Sequence, residues 1–357
     1  MGKLVGFLLV VLVLAAAGAG GVWFYAQNLY AQAGPATADG KPRIITVKKG
    51  ATPQSIAANL KGAGAIEDEF QFRFAVRVHD FMPGEDGALT LKAGEFAIPS
   101  AASIKDISKI LSSGAPLQYA VIIPEGLTSA MIMRQLVGKE WKAAGGVDAS
   151  IKLAGDPPTT PAEGVMLPGD YMVSRGDTIE SVVQRAIKGQ QDLLAKAWAN
   201  RQAGLPFKTP EEAINLASIV EKETGNPEER PEVAAVFVNR LKRGMRLEAD
   251  PTIVYGLTKG EPLGRIIHAA ERAQKTDWNT YQLDRLPKTP ICNPGQEAIN
   301  AVLNPPASKS LYFVGDGKGG HVFAETFAEH QKNVSTYWKI RGANEKAGVK
   351  TPAVRQQ

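Results

Sequence analysis

Residues 209–224 read TPEEAINLASIVEKET, and the stretch begins with the signals of a helix N-terminus. Thr209 and Pro210 are preferred at the N-cap and N1 positions, and Glu212 stands where a capping box takes its N3 glutamate. Gly225 follows the last apolar turn and is typical of a helix end. A second start signal follows at residues 226–229, so we expect two helices joined tightly end to end.

Two glutamates fall inside the apolar arc of the first helix. At about 100° per residue, Glu221 projects between Ala217 and Ile214, and Glu223 projects between two other apolar residues of the arc. A carboxylate on a buried stripe is costly unless it is paired, hydrogen-bonded or protonated, so either glutamate can have the raised pKa of a general acid. A glutamate at the edge of the arc that reaches solvent, or a structural ion pair, explains the same pattern. The two side chains lie about 200° apart, so they cannot form a facing pair, and periodicity does not choose between them.

Composition excludes several classes of protein. The chain has 357 residues, of which 44% are hydrophobic and 22% charged, as in globular proteins of two or three domains. A single cysteine, Cys292, excludes an internal disulfide framework and any CxxC motif. Four scattered histidines leave little room for a histidine-rich metal site. We expect no metal and no cofactor. The net charge of +5 suits an acidic polymer, an anionic lipid surface or nucleic acid.

The N-terminus predicts a membrane anchor. Residues 4–25 carry no charge, and at about 1.5 Å per residue they span the roughly 30 Å hydrocarbon core of a bilayer. Lys3 precedes this segment, and Trp23 and Tyr25 end it, which favours a cytoplasmic N-terminus. A cleaved signal peptide, with its cleavage region at residues 15–21, is the alternative. In both cases the rest of the chain is exported, which argues against nucleic acid as a partner.

The remaining chain divides by composition and pattern. A small, polar stretch follows the anchor and is typical of a flexible linker. Repeated strand–turn–helix units come next and indicate a compact α+β layer. A mainly helical region then ends with a β-hairpin around the glycine-rich residues 315–320 and a polar tail. The expected anchor, linker, α+β domain, helical domain and flexible tail occupy residues 1–25, 26–43, 44–117, 118–340 and 341–357, respectively.

Sequence blocks within and after the glutamate-bearing helix resemble the YceG-like endolytic murein transglycosylases, the MltG family. The blocks are LASIVEKET at 216–224, VFVNRL at 236–241, GMRLEADPT at 244–252, NTY at 279–281, CNPG at 292–295, LYFV at 311–314 and GGHVF at 319–323. The anchor and the strand–turn–helix units, which resemble that family's LysM-like region, extend the match over nearly the whole chain. The resemblance implies an α+β protein with an N-terminal transmembrane helix, LysM-like βα units and a mainly helical, lysozyme-like catalytic domain.

The resemblance also implies a glycan lyase. Such an enzyme cuts the MurNAc–GlcNAc β-1,4 bond inside peptidoglycan strands, leaves 1,6-anhydro-MurNAc ends and terminates nascent strands beside peptidoglycan synthases, the penicillin-binding proteins. Glu221 matches the family's catalytic acid, which protonates the glycosidic oxygen and then deprotonates the sugar's own C6 hydroxyl. The implied location is the inner membrane, with one membrane pass and a periplasmic catalytic domain. Candidate residues of the substrate cleft are Glu223, Asn239, Asp250, Thr252, Tyr255, Asn279, Tyr281 and His321.

Two other functions stay open. A membrane-tethered peptidoglycan-binding scaffold would use the LysM-like units without chemistry. A hydrolytic muramidase would need a second carboxylate, such as Glu223 or Asp250, near Glu221. The family's older label, aminodeoxychorismate lyase, requires a pyridoxal cofactor and a cytoplasmic location, and the anchor argues against it.

Two blocks depart from the family pattern. Residues 163–171 lack the phenylalanine of the family's EGxLFPDTY block and contain an additional glycine, which predicts a different edge of the substrate groove. Glu248 stands where the family more often has an uncharged polar residue. Neither departure involves Glu221.

Overall fold

The structure, a computed structural model, describes residues 2–79 and 90–346. The chain forms two compact units whose segments alternate along the sequence. Unit 1 comprises residues 1–120, 140–152 and 172–176, and unit 2 comprises residues 121–139, 153–171 and 177–357. The expected boundary after residue 117 lies close to residue 120, where the first segment of unit 1 ends. The two later segments of unit 1, residues 140–152 and 172–176, had no sequence signal.

Helices and short strands alternate along the chain. The helices are α1 (Gly2–Ala31), α2 (Pro53–Gly62), α3 (Glu69–His79), α4 (Ile104–Ser112), α5 (Ser129–Gly138), α6 (Ile179–Ala199), α7 (Pro210–Glu223), α8 (Arg230–Lys242), α9 (Asp250–Thr258), α10 (Ala269–Ala273), α11 (Gln296–Leu303) and α12 (Phe327–Lys346). The strands are β1 (Arg43–Val47), β2 (Gly94–Ile98), β3 (Tyr119–Ile123), β4 (Trp141–Lys142), β5 (Ser150–Ile151), β6 (Gly169–Val173), β7 (Tyr312–Gly315) and β8 (His321–Ala324). This mixture confirms the coarse α+β class, while the LysM-like and lysozyme-like descriptions stay predictions.

The N-terminal helix α1 is longer than the expected anchor. Its segment Val5–Ala31 is long and apolar enough to cross a membrane. The helix continues beyond residue 25 because Ala26, Leu29 and Tyr30, spaced as one helical face, are buried in the core of unit 1. The helix therefore extends past residue 26, where the linker was expected to start.

The rest of the expected linker, residues 32–43, is hydrogen-bonded to unit 1. The amide of Gly34 donates to the Ala101 carbonyl oxygen at 3.3 Å. The amide of Thr37 donates to the Ser100 hydroxyl at 2.8 Å. These bonds hold the segment against other residues of unit 1. At the other end of the chain, α12 continues through residues 341–346 of the expected tail, and the remainder of that tail lies outside the described residues.

The three predicted strand–turn–helix units are present. β1 and β2 pair antiparallel, with Ile45 opposite Phe96, and both side chains lie in the core of unit 1. Thr52, Ser103 and Thr128 cap the helices that follow the three strands, as short polar side chains do at helix N-termini.

A buried polar group joins three segments of unit 1. The Glu95 side chain is 3% exposed, and one of its carboxylate oxygens accepts a hydrogen bond from the hydroxyl of the fully buried Tyr119. The other oxygen accepts a bond from Nε of Arg175 at 2.6 Å. A buried carboxylate is tolerated when its oxygens are satisfied in this way.

In unit 2, α7 lies at the centre of the hydrophobic core. Its apolar face packs against α8 and α11, and Phe237 of α8 meets Phe313 of β7 edge to face. The predicted β-hairpin is present as β7 and β8, with Gly315 opposite His321. The helix predicted from residue 210 is also present and begins at Pro210 behind the Thr209 cap.

Residues 291–295 run between α7 and the turn at residues 124–128, which connects β3 to α5; we call these the 291–295 segment and the β3–α5 turn. The Ile291 amide donates to the Ser218 hydroxyl of α7 at 3.0 Å. On the other side, the Gly126 amide donates to the Asn293 carbonyl at 3.0 Å, and the Asn293 amide donates to the Leu127 carbonyl at 2.9 Å. The segment therefore holds the turn in place against the end of α7.

We predict that Tyr119→Phe destabilises the protein by about 1–3 kcal/mol, because it leaves the buried Glu95 carboxylate without one of its donors. The measurement is urea unfolding of the full-length protein in detergent micelles. Tyr312→Phe, which removes a hydroxyl from a partly exposed ring, is the matched control, with an expected change below about 0.5 kcal/mol. Equal effects of the two substitutions would contradict a structural role for the Tyr119–Glu95 bond.

We also predict that Asn293→Ala destabilises unit 2 by about 3 kcal/mol. The Asn293 side chain is fully buried, its amide donates to the Leu127 carbonyl at 3.2 Å and to the Ser129 hydroxyl at 3.1 Å, and its oxygen accepts from the Met166 amide at 3.0 Å. The same unfolding experiment measures the change. The exposed Asn304, directly after α11, provides the control Asn304→Ala, and a loss below about 1 kcal/mol for Asn293→Ala would contradict the prediction.

Candidate active site

Glu221 lies in the last turn of α7, and its side chain is 7% exposed. One carboxylate oxygen accepts the backbone N–H of Gly295, the N-cap of α11, at 3.1 Å. The other oxygen lies 3.9 Å from Nη2 of Arg230, the first residue of α8. A helix N-terminus and a guanidinium both favour negative charge, so the site can stabilise Glu221 when it is ionised.

The surroundings of Glu221 raise its pKa overall. Burial raises the pKa of the Glu221 carboxyl above its usual range, because a charge is poorly solvated there. The Gly295 N–H opposes this rise, the Glu125 carboxylate adds to it, and Arg230 and Lys222 oppose it more weakly. A carboxylic acid that keeps its proton closer to neutrality is what general acid catalysis requires.

Glu125, on the β3–α5 turn, is a residue of this site that the sequence analysis missed. Its Oε2 lies 3.9 Å from the same Nη2 atom of Arg230. The Lys222 ammonium donates to the Gly126 carbonyl at 3.1 Å, which holds the turn against the end of α7. The available signal was only a Glu-Gly turn after an apolar strand, and nothing in the spacing connects that turn to Glu221.

Arg230 and Gly295 were missed for similar reasons. The start signal at residues 226–229 predicts a helix beginning there, but Asn226 accepts the Glu228 amide in a turn, and α8 begins only at Arg230. The charged run around it reads as an exposed helix start, whereas the Arg230 side chain is 8% exposed. Gly295 appeared only as part of a matched block. The acid, the arginine and the backbone donor come from three different helix ends.

Asp250 and Tyr281, two expected cleft residues, contact each other. The Tyr281 hydroxyl donates to Asp250 Oδ1 at 2.8 Å, and Nη2 of Arg272 lies 3.6 Å from Asp250 Oδ2. Burial raises the pKa of Asp250, while Tyr281 and Arg272 oppose the rise. Glu223 is 3% exposed and interacts electrostatically with Tyr281 and Arg240. The two expected partners of Glu221 differ from the observed one. Asp250 pairs with Arg272, whereas the carboxylate that shares Arg230 with Glu221 is Glu125.

Three further candidates use their polar groups within the protein. The Thr252 hydroxyl donates to the Ala249 carbonyl at 2.6 Å. The Asn239 amide donates to the carbonyls of residues 308 and 310, and the Asn279 amide donates to those of residues 271, 272 and 274. These bonds give the three side chains a supporting role in the walls of unit 2. A direct contact of any of them with substrate stays a prediction.

Tyr255 and His321 are also largely buried. Tyr255 packs edge to face against Trp278 at 5.5 Å, and burial is the main cause of its raised pKa. His321 Nδ1 lies 2.7 Å from Glu229 Oε2, and the His321 amide donates to Glu229 Oε1 at 2.9 Å. These bonds connect the β7–β8 hairpin to Glu229, the residue that precedes Arg230.

Comparison with known proteins agrees with the resemblance found in the sequence. Residues 45–336 match the model of the YceG-like family. The chain is 26% identical over 349 residues to an endolytic murein transglycosylase of Bacillus subtilis, and the alignment covers 92% of each protein. It is 26% identical over 372 residues to a protein of the same name from Streptococcus pneumoniae, covering 93% of this chain and 64% of that protein.

A solved structure of a yceG-like protein from Listeria monocytogenes aligns with 82% of this chain and 99% of its own, at 23% identity and a TM-score of 0.45. The assignment itself rests on the family match, which extends over most of the sequence and includes both glutamates of the site. The chain belongs to the YceG-like family.

Proposed function

We propose that this protein is a lytic murein transglycosylase that cuts peptidoglycan glycan strands, with Glu221 as the catalytic acid. The observation that carries the proposal is the environment of Glu221: a buried carboxyl with a raised pKa, one backbone N–H donor and one arginine. Two relatives along nearly the whole chain are named endolytic murein transglycosylases, which supports the substrate class.

The proposed reaction needs one carboxyl group. Protonated Glu221 donates its proton to the glycosidic oxygen while the bond from MurNAc C1 to that oxygen breaks. The C6 hydroxyl oxygen of the same sugar then bonds to C1 and loses its proton to the Glu221 carboxylate. The products are a 1,6-anhydro-MurNAc end and a free GlcNAc hydroxyl, Glu221 regains its proton, and no water is consumed. Between the two transfers, the Gly295 N–H and Arg230 stabilise the carboxylate.

A hydrolytic muramidase is the second candidate function, and the position of Glu125 favours considering it. Glu125 and Glu221 each lie 3.9 Å from the same guanidinium nitrogen, so these carboxylate oxygens are separated by no more than twice that distance. Two-carboxylate glycosidases place their groups about 5–9.5 Å apart. In such an enzyme Glu125 would activate a water molecule, and the products would carry one more water.

The proposed location is the periplasmic face of the inner membrane. We infer that α1 is a single-pass anchor with a cytoplasmic N-terminus, because Lys3 precedes its apolar segment and Trp23 and Tyr25 lie near its other end. Unit 1 would then act as a LysM-like glycan-binding domain and unit 2 as a lysozyme-like catalytic domain. The proposed partners are nascent peptidoglycan strands and the penicillin-binding proteins that synthesise them.

We predict that the full-length protein in detergent micelles releases anhydro-ended muropeptides from purified sacculi, and that Glu221→Gln lowers this rate at least ~100-fold. The amide keeps the size of the side chain but cannot donate the proton. Mass spectrometry of the released muropeptides measures the ends. Glu211→Gln, at an exposed position in the first turn of the same helix, is the matched control and retains the wild-type rate.

Each other outcome selects a different function. Hydrated ends that disappear in Glu221→Gln would identify a muramidase. An absence of new ends, with equal binding of sacculi by both proteins, would identify a glycan-binding scaffold. A Glu221→Gln variant with the wild-type rate would remove Glu221 from the chemistry.

A further inference from the structure

We propose that Glu125 is a positioning residue of this site: it shares Arg230 with Glu221 and thereby sets the charge that the catalytic acid faces. The inference rests on the proposed function, since it assigns Glu125 a role in the reaction of Glu221. It concerns a residue on the β3–α5 turn that belongs to none of the sequence blocks around the catalytic helix.

Arg230 lies between the two carboxylates without being committed to either. Its Nη2 atom is 3.9 Å from Glu125 Oε2 and 3.9 Å from Glu221 Oε1, both beyond hydrogen-bond length. Its Nε is buried and has no hydrogen-bond partner among the described residues. One guanidinium charge can balance only one of the two carboxylates.

The two carboxyl groups differ in their solvent exposure. The Glu125 side chain is 46% exposed and the Glu221 side chain is 7% exposed. Water therefore stabilises the charge on Glu125, whereas burial disfavours a charge on Glu221. The Glu125 carboxylate beside Arg230 leaves less of the guanidinium charge to Glu221, which helps to keep the pKa of the catalytic acid raised.

The position of Glu125 is built by two other segments of unit 2. Gly126 has a φ of +74°, its amide donates to the Asn293 carbonyl at 3.0 Å, and its carbonyl accepts the Lys222 ammonium at 3.1 Å. The Glu125 carboxylate lies against the α-carbon of Gly295, where an added Cβ would overlap it. The φ of Gly295 is −75°, which every residue can adopt, so the glycine is required by space and not by its backbone conformation.

Among the described residues, the groups that act on the Glu221 carboxyl come from four segments of unit 2. They are Glu125 from the β3–α5 turn, Arg230 from α8, Lys222 from α7 itself and the Gly295 N–H at the start of α11. Of these, Glu125 is the carboxylate, and its charge disfavours ionisation of Glu221. Removing that charge also frees Arg230 to pair with Glu221, so both effects of the removal lower the pKa of Glu221.

The test is the pH dependence of glycan cleavage by the full-length protein and its Glu125→Gln variant, between about pH 4.5 and pH 9. The alkaline limb reports loss of the proton from Glu221. We expect this limb to move about one pH unit lower in Glu125→Gln, since a nearby charge shifts a pKa by about 1–3 units. The rate then falls ~10-fold on the alkaline side, while the rate at low pH stays within about threefold of wild type.

Two further variants separate this role from a structural one. Gly295→Ala keeps the N–H donor and the Glu125 charge but displaces the Glu125 carboxylate, so its alkaline limb moves in the same direction by a smaller amount. Glu297→Gln removes an exposed carboxylate from the first turn of α11 and leaves the profile unchanged. A uniform loss of rate in Glu125→Gln, with the alkaline limb in place, would overturn the proposal in favour of a purely structural role.

A second measurement does not depend on catalysis. A ¹³C NMR titration of the Glu221 carboxyl, assigned by its absence in Glu221→Gln, should show a lower midpoint in Glu125→Gln than in the wild type. An unchanged midpoint would overturn the inference even if the enzyme is active. A lowered midpoint in a protein that cuts no glycan would support the inference and reject the proposed function. Loss of all activity in Glu125→Gln, with hydrated wild-type products, would instead make Glu125 the base of a muramidase.

Discussion

The hydrogen bonds of the 291–295 segment are the constraint on which the candidate site depends. This segment is bonded to Ser218 of α7 on one side and to the β3–α5 turn on the other. Its last residue, Gly295, then supplies the N–H donor to Glu221. The acid, its backbone donor and the turn that carries Glu125 are therefore held together by the same short segment. The two bonds to the turn join backbone groups, whereas the two bonds to α7 end on the side-chain oxygens of Ser218 and Glu221.

A second constraint is the cost of burying a carboxyl group. Glu221 lies at the end of a helix whose remaining face is packed in the core, and its environment only partly compensates for the lost hydration. One N–H bond and a shared arginine oppose the effect of burial on the Glu221 carboxyl group without cancelling it. Because the loss of hydration outweighs the stabilisation by the N–H and the arginine, the pKa of Glu221 is raised, and a raised pKa is the property that an acid catalyst needs. Stronger pairing would stabilise the carboxylate and weaken the acid.

Several polar residues of the matched sequence blocks form hydrogen bonds within unit 2. Asn239, Thr252 and Asn279 use their hydrogen bonds on backbone groups of unit 2, and Asn293 does the same with greater effect on the site. A motif match alone cannot separate such framework residues from residues that face a ligand, because both are polar and occupy special positions. Their bonding partners separate them, and these partners are distant in the sequence.

Local patterns alone predicted much of the fold. The cap at Thr209, the start of α7, the β7–β8 hairpin and the capped helices after β1, β2 and β3 follow from interactions between residues close together in the chain. The apolar anchor is also a local property. The continuation of α1 beyond the expected anchor had no such local signal, because the burial of Leu29 and Tyr30 depends on a core contributed by distant residues.

For the site, the sequence determined that a glutamate lies on the buried face of α7, and the family resemblance selected Glu221 from two equivalent candidates. Tertiary structure alone decided what surrounds it. Glu125, Arg230 and Gly295 come from separate segments. Their local sequence patterns, which are a turn, a charged helix start and a helix N-cap, do not indicate a functional site. The pKa of a buried carboxyl depends on charges and donors within a few ångströms, and long-range folding brings these together. Periodicity can therefore indicate that a carboxyl group is buried, but only the fold decides whether it becomes an acid.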